Sequence, residues 1–132
     1  MNGDERRYPD SLTESILGAV FEVSNTLGAG FLEKVYERAL LFELRARGMQ
    51  AVAQASFSVI YKGQVVGEYC ADIVVDKTVV VELKSVEHLG KEHVAQCLNY
   101  LRASGLEVCL SINFQKPIVE WRRVTMSRSA SA

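Results

Sequence analysis

The sequence predicts a mixed α/β domain of element order ααβββαββ, in which a central mixed sheet is flanked by helices. Apolar residues recur at helical spacing in two segments before residue 48, and a period-two pattern then runs from residue 51. A further helical segment separates the third strand from the fourth, and it is long enough for a right-handed parallel crossover. These elements together predict one sheet with helices packed against it.

Composition limits the possible functions. The chain has 132 residues, of which 48% are apolar, and a formal net charge of −1. This length fits one domain, and the near-zero charge gives no overall positive field that would recruit nucleic acid. Any polyanion binding must come from a local patch or a dimer groove. The three cysteines lack Cys-x-x-Cys spacing, which indicates core residues in a reducing compartment. With no leader or membrane span recognised, we expect a cytoplasmic protein.

The first helix is predicted from a capping pattern. Residues 1–10 are expected to be flexible. Ser11-x-x-Glu14 is a capping box, in which the hydroxyl and the carboxylate satisfy free backbone donors, so the helix should start near Ser11. It should end at Gly28.

The second helix is predicted from about Leu32 to Arg47 and carries polar side chains in its first turns. Glu33, Tyr36 and Glu37 lie at i, i+3 and i+4, so they project together. Spacing alone favours an ordinary role for Glu33, because a carboxylate at a helix N-terminus contributes about 0.3–1 kcal/mol through the helix dipole.

Three strands follow as an antiparallel meander over residues 51–61, 65–75 and 78–84. On the third strand, Val80, Glu82 and Lys84 share one face, while the residues between them point to the other face. Two charged side chains therefore project from a strand whose other residues are apolar and expected to be buried. Burying them is costly unless each finds a partner or a metal.

Two explanations of these charges remain open from the residues alone. Glu82 and Lys84 can form a local ion pair at a sheet edge, which is the common arrangement for an isolated Glu-x-Lys. Alternatively, Asp72 on the preceding strand lies alongside Glu82. Two facing carboxylates beside a lysine make a site for a hard divalent cation, with Lys84 stabilising developing negative charge or positioning a water.

The loop between these two strands decides whether the carboxylates meet. A regular two-residue turn would place them on opposite faces of the hairpin. A three-residue loop over residues 76–78 instead pairs Val75 with Val79 and brings Asp72 opposite Glu82. The metal-site hypothesis therefore predicts an odd-length loop or a bulge at this position.

The remaining elements are a third helix over about residues 89–103 and two strands over about residues 107–114 and 118–124. His93, Gln96 and Tyr100 form a polar line beside the apolar stripe of the helix, which is ordinarily a solvated helix face. We expect a single domain over residues 11–125 and a disordered tail over residues 126–132.

A family resemblance emerges from these residues taken together. The chain carries Gly30-x-x-Glu33-x-x-Tyr36, then Asp72, then Glu82-Leu83-Lys84 and finally Gln96-x-x-x-Tyr100. In this order they resemble the GxxExxY protein family, part of the PD-(D/E)XK, or restriction-endonuclease-like, nuclease superfamily. The resemblance extends from about Leu12 to Val124. It implies a restriction-endonuclease-like core of helix, three-stranded meander, crossover helix and strand, which matches the predicted order.

The resemblance also implies a metal centre. Asp72 and Glu82 would ligate Mg²⁺ or Mn²⁺, with the backbone carbonyl of Leu83 completing the shell. Glu33 matches the acidic residue that a preceding helix contributes to the site. Lys84 would assist the attacking water or the transition state.

Two further residues match the family, and the chain departs from its pattern in two respects, the residue at position 71 and the missing basic surface. Gln96 and Tyr100 match a Gln-x-x-x-Tyr line that orients the site or the substrate strand. Ala71 stands where the superfamily often has proline, which affects strand geometry more than ligation. The local concentrations of basic charge are few: Arg45, Arg47, Arg122 and Arg123.

The sequence therefore predicts a metal-dependent nuclease-like domain that hydrolyses phosphodiester bonds in DNA or RNA. The alternative is a non-catalytic module that keeps the fold and binds a protein or a nucleic acid. We also expect a homodimer, because so small a domain gains a substrate groove by pairing.

Overall fold

The computed structural model describes the backbone of residues 3–127 and side chains from residue 11 onward. The elements follow the predicted order: α1 (Gly3–Leu27), α2 (Glu33–Ala46), β1 (Ala51–Tyr61), β2 (Gln64–Val75), β3 (Val79–Lys84), α3 (Lys91–Ser104), β4 (Val108–Asn113) and β5 (Glu120–Thr125). None of the helices within this described part of the chain is long and apolar enough to cross a membrane.

The five strands form one mixed sheet in the order β1-β2-β3-β4-β5. β1, β2 and β3 make the predicted antiparallel meander. β4 runs parallel to β3 because α3 carries the chain back to the other end of the sheet, and β5 is antiparallel to β4. The predicted mixed sheet flanked by helices is confirmed.

The sheet separates two cores. On one face, α1 and α2 pack against a cluster that includes Val79, Val81 and Leu83 of β3. On the other face, α3 packs against Val80 and Cys109. The alternation predicted for β3 is therefore correct, and Glu82 and Lys84 belong to the face that α3 covers.

The start of α1 differs from the prediction. The helix begins at Gly3, so Ser11 lies inside it and does not cap it. Glu5, Arg6 and Arg7 are good helix formers, and the missing N–H of Pro9 removes one hydrogen bond without ending the helix. Of the tail predicted over residues 126–132, residues 128–132 lie outside the described part of the chain, as do residues 1 and 2.

Candidate active site

The loop between β2 and β3 has the predicted odd length. Val75 pairs with Val79, and the N–H of Thr78 donates to the carbonyl of Val75 at 2.9 Å. Asp76 and Lys77 supply the reversal with φ values of 52° and 54°. This register places the two carboxylates, ten residues apart in the chain, opposite each other.

The carboxylates lie where β2 and β3 separate. The last residue pair of this ladder is Ile73 with Val81. Beyond it, the N–H of Asp72 donates to Glu82 Oε2 at 2.9 Å, and the N–H of Leu83 donates to Asp72 Oδ2 at 2.7 Å. Each carboxylate thus accepts a backbone donor of the opposite strand and replaces the ladder bonds that the separation removes. We call this arrangement the carboxylate fork.

Lys84 lies beside the fork but does not neutralise it. Its Nζ is 3.9 Å from Glu82 Oε1, and its side chain is 19% exposed. Burial, and after it the charge of Asp72, raise the pKa of Glu82 to about 7. Burial likewise raises the pKa of Asp72, although the N–H of Leu83 opposes that shift. Two carboxylates that resist ionisation despite a nearby lysine are a site that a cation would stabilise.

α2 brings further acidic groups to the fork. Glu33, the first residue of this helix, is close enough that the charge of Asp72 raises its pKa, after the effect of partial burial, while Lys84 acts in the opposite direction. Glu37, one turn later, is buried, and its charge contributes to the raised pKa of Asp72. Its Oε1 is 3.2 Å from the Nζ of Lys34. In the sequence, only its position four residues after Glu33 indicates that Glu37 lies on the same side of the helix.

The tyrosine of the Gly-x-x-Glu-x-x-Tyr pattern holds the start of α2 in place. The hydroxyl of Tyr36 donates to the carbonyl of Gly28 and accepts the N–H of Phe31 at 3.2 Å. Its ring stacks on Phe114, with the centroids 4.7 Å apart. Gly30 has a φ of 114°, a conformation that favours glycine. The hydrogen bonds of Tyr36 therefore close the turn before α2, and this turn positions the carboxylate of Glu33.

α3 approaches the fork with Tyr100. Its hydroxyl donates to the carbonyl of Cys70 at 3.0 Å. Burial and the neighbouring charge of Glu82 both raise the pKa of Tyr100. Gln96, one turn earlier, is half-buried, and no hydrogen bond joins its side chain to either carboxylate of the fork in the described structure. The structure thus brings Asp72, Glu82, Lys84 and Tyr100 together. Glu33 is near enough for its pKa to be affected by the charges of Asp72 and Lys84, and the role of Gln96 stays a prediction.

β4 contributes two polar residues that sequence analysis missed. Asn113 is buried beside Lys84, and its Nδ2 donates to the carbonyl of Val86 at 2.7 Å, which holds the segment that follows Lys84. Ser111 pairs with Glu82 across the sheet, and its buried hydroxyl has no hydrogen-bond partner. Both residues alternate with apolar residues along β4, which is also typical of the solvent-facing side of a strand, so the sequence did not identify them.

No group of three or more His, Cys, Asp or Glu side chains is placed to hold a metal ion within the described residues. The donor set nevertheless fits a hard cation. Each fork carboxylate uses one oxygen for a backbone N–H, which leaves Asp72 Oδ1 and Glu82 Oε1 outside those bonds. Mg²⁺ is commonly bound by one or two carboxylates together with water, so a pair meets its minimum requirement.

Comparisons with known proteins concern the family and the fold. A family model described as the PD-(D/E)XK nuclease superfamily matches residues 10–124. A search of curated proteins gave no significant match. Among solved structures, the fold is similar to the crystal structure of SSO0001, with a TM-score of 0.56 and 17% sequence identity. The match covers 94% of this chain and 63% of that one, and at this identity it demonstrates the fold alone.

Proposed function

Because this chain belongs to the PD-(D/E)XK nuclease superfamily, we propose that it is a divalent-metal-dependent nuclease that hydrolyses phosphodiester bonds in DNA or RNA. The observation that carries the proposal is the carboxylate fork. Asp72 and Glu82 hold each other through backbone donors. Burial raises the pKa of both carboxyl groups, and the charge of Asp72 adds to the shift of Glu82. A structural ion pair would not need two carboxylates beside one lysine.

Asp72 and Glu82 would hold Mg²⁺ or Mn²⁺, and Glu33 would contribute from α2. The N–H and C=O of one residue in an extended strand point to the same side. The N–H of Leu83 points to Asp72, and this supports a role for the Leu83 carbonyl as a further ligand. When bound, such an ion lowers the pKa of water and stabilises charge on the phosphate.

The other side chains would act on the substrate. Lys84, 3.9 Å from Glu82, would face the anionic phosphate and stabilise charge that develops in the transition state. The hydroxyl of Tyr100 donates to the carbonyl of Cys70 and also lies beside the charge of Glu82, and it would help to hold β2 against α3. Gln96 would orient the substrate strand from the same helix.

Cleavage assays test the proposal directly. Purified protein is incubated with Mg²⁺ or Mn²⁺ and end-labelled single- and double-stranded DNA and RNA. We expect cleavage that EDTA abolishes and that Glu82→Gln removes. If none of these substrates is cleaved with either ion, the nuclease proposal fails.

The alternative function, a non-catalytic interaction module, is favoured by one observation. The described residues contain no ready-made group of three metal-binding side chains. Calorimetric titration with Mn²⁺ separates the two functions. A nuclease should bind Mn²⁺ at a site that Asp72→Asn removes, whereas an interaction module need not bind it. Sedimentation velocity, with and without nucleic acid, would test the homodimer proposed for the substrate groove.

A further inference from the structure

Gln54 adopts a backbone conformation that its position does not explain. It lies in β1 directly opposite Asp72, between the pairs Ala53 with Ile73 and Ala55 with Ala71. Its φ is 55°, in the left-handed region, which disfavours a residue with a side chain. Gln54 is also exposed, so burial of its side chain does not offset this cost.

The strained position coincides with a change of face in both strands. Ala51 and Ile73 pack in the core under α1 and α2. Ala55 and Ala71, which regular alternation would place on that same face, pack instead in the core under α3. Gln54 and Asp72 are the residues at which this change occurs. Beyond them, β2 no longer pairs with β3, and both strands of the hairpin pack in the core under α3. The carboxylate fork lies at this point.

The side-chain amide of Gln54 joins the elements around the fork. Its Nε2 donates to Glu37 Oε2 at 3.0 Å, and its Oε1 accepts the Sγ–H of Cys70 at 3.2 Å. A carboxylate only accepts hydrogen bonds, so the NH₂ end of the amide must face Glu37. The carbonyl of Cys70 in turn accepts the hydroxyl of Tyr100 at 3.0 Å. A continuous chain of contacts therefore runs from α2 through both strands to α3.

We propose that Gln54 is a positioning residue, which holds β2 between α2 and α3 so that Asp72 stays at the fork with its carboxylate on the Leu83 N–H. Gln54 does not touch the reacting atoms and acts through Glu37 and Cys70. The expected effect on metal affinity rests on the proposed function, whereas the effect on the geometry of the fork does not.

Three variants separate the amide from the backbone strain. Gln54→Gly removes the amide and relieves the positive φ, so it should fold with an unchanged or higher Tm. Cys70→Ala removes the donor to Gln54, whereas Cys70→Ser keeps a donor at an exposed position. Hydrogen exchange of the Leu83 amide, measured by NMR, reports whether Asp72 still accepts it. Titration with Mn²⁺ measures the affinity of the complete metal site.

We expect Gln54→Gly and Cys70→Ala to exchange the Leu83 amide about tenfold faster and to bind Mn²⁺ about 10- to 100-fold more weakly. Cys70→Ser should resemble the unmodified protein in both measurements. Unchanged Leu83 exchange in both Gln54→Gly and Cys70→Ala would overturn the proposal, and so would a Cys70→Ser variant as defective as Cys70→Ala. If the unmodified protein binds no Mn²⁺, the metal-dependent function fails, while Leu83 exchange still decides the role of Gln54.

Discussion

Asp72 and Glu82 lie side by side, and the carboxylate of each accepts a backbone N–H of the other's strand. The N–H of Asp72 donates to Glu82 Oε2 at 2.9 Å, and Asp72 itself accepts the N–H of the residue after Glu82. Each carboxylate therefore has two roles. It accepts a backbone N–H where β2 and β3 no longer pair, and it contributes negative charge to the site. A substitution that removes the charge but keeps an oxygen acceptor distinguishes these roles.

Glu82→Gln should raise stability and remove metal binding. The amide oxygen can still accept the N–H of Asp72, while the repulsion between two buried carboxylates disappears. Above a pH of about 7, where Glu82 is ionised, we expect a higher Tm in EDTA and at least about 100-fold weaker binding of Mn²⁺, which corresponds to about 2.7 kcal/mol. Thermal unfolding and calorimetry measure the two effects. A lower Tm in EDTA would contradict the proposed repulsion.

Stability of the metal-free protein should fall as pH rises from about 4.5 to 7. The pKa of Glu82 is raised from 4.5 to about 7 in the folded state, so folding favours the protonated form. This contribution is complete below the unfolded pKa and is lost as pH rises through the folded one. This contribution amounts to roughly 3 kcal/mol at most. The pKa values of Asp72 and Glu33 are also raised, so these groups change the stability in the same direction. Unfolding in EDTA across this range measures the effect. Parallel pH profiles for Glu82→Gln and the unmodified protein would exclude Glu82 as the cause.

Lys84→Ala should separate catalysis from metal binding. Lys84 contributes positive charge 3.9 Å from Glu82 but no ligand, so Mn²⁺ affinity should be retained or increased. We expect cleavage to fall about 10²- to 10³-fold, the usual effect of removing one transition-state charge contact. Lys77→Ala, in the loop at the other end of β3, is the matched control and should cleave normally. Loss of Mn²⁺ binding in Lys84→Ala would show that the lysine organises the fork.

Tyr36→Phe should weaken both the fold and the site. It removes the hydrogen bonds to Gly28 and Phe31 but keeps the ring stacked on Phe114. We expect a loss of about 1 kcal/mol in the free energy of unfolding, together with lower cleavage, because the turn before Glu33 is no longer closed. Denaturant unfolding measures the first effect, and Tyr61→Phe, at an exposed position, is the control. Full activity in Tyr36→Phe would mean that the turn does not place Glu33.

The sequence by itself determined the parts of this protein that depend on local periodicity. Alternation along β3 predicted correctly that Glu82 and Lys84 share a face opposite Val81 and Leu83. Counting residues around the 76–78 loop predicted the pairing of Val75 with Val79, because hairpin register depends on loop length. The order of elements followed in the same way, from patterns a few residues long.

Only the tertiary structure decided which distant residues hold these elements in position. Gln54 bonds to Glu37, 17 residues away in the chain, and Asn113 to Val86, 27 residues away. No local pattern specifies such partners, since they depend on how helices dock on the sheet. The change of face at Gln54 also breaks the alternation from which strands are predicted. The acidic residues could be identified because they interrupt the apolar pattern of the strands. The groups that position them are distant in the chain, so only the packed structure reveals them.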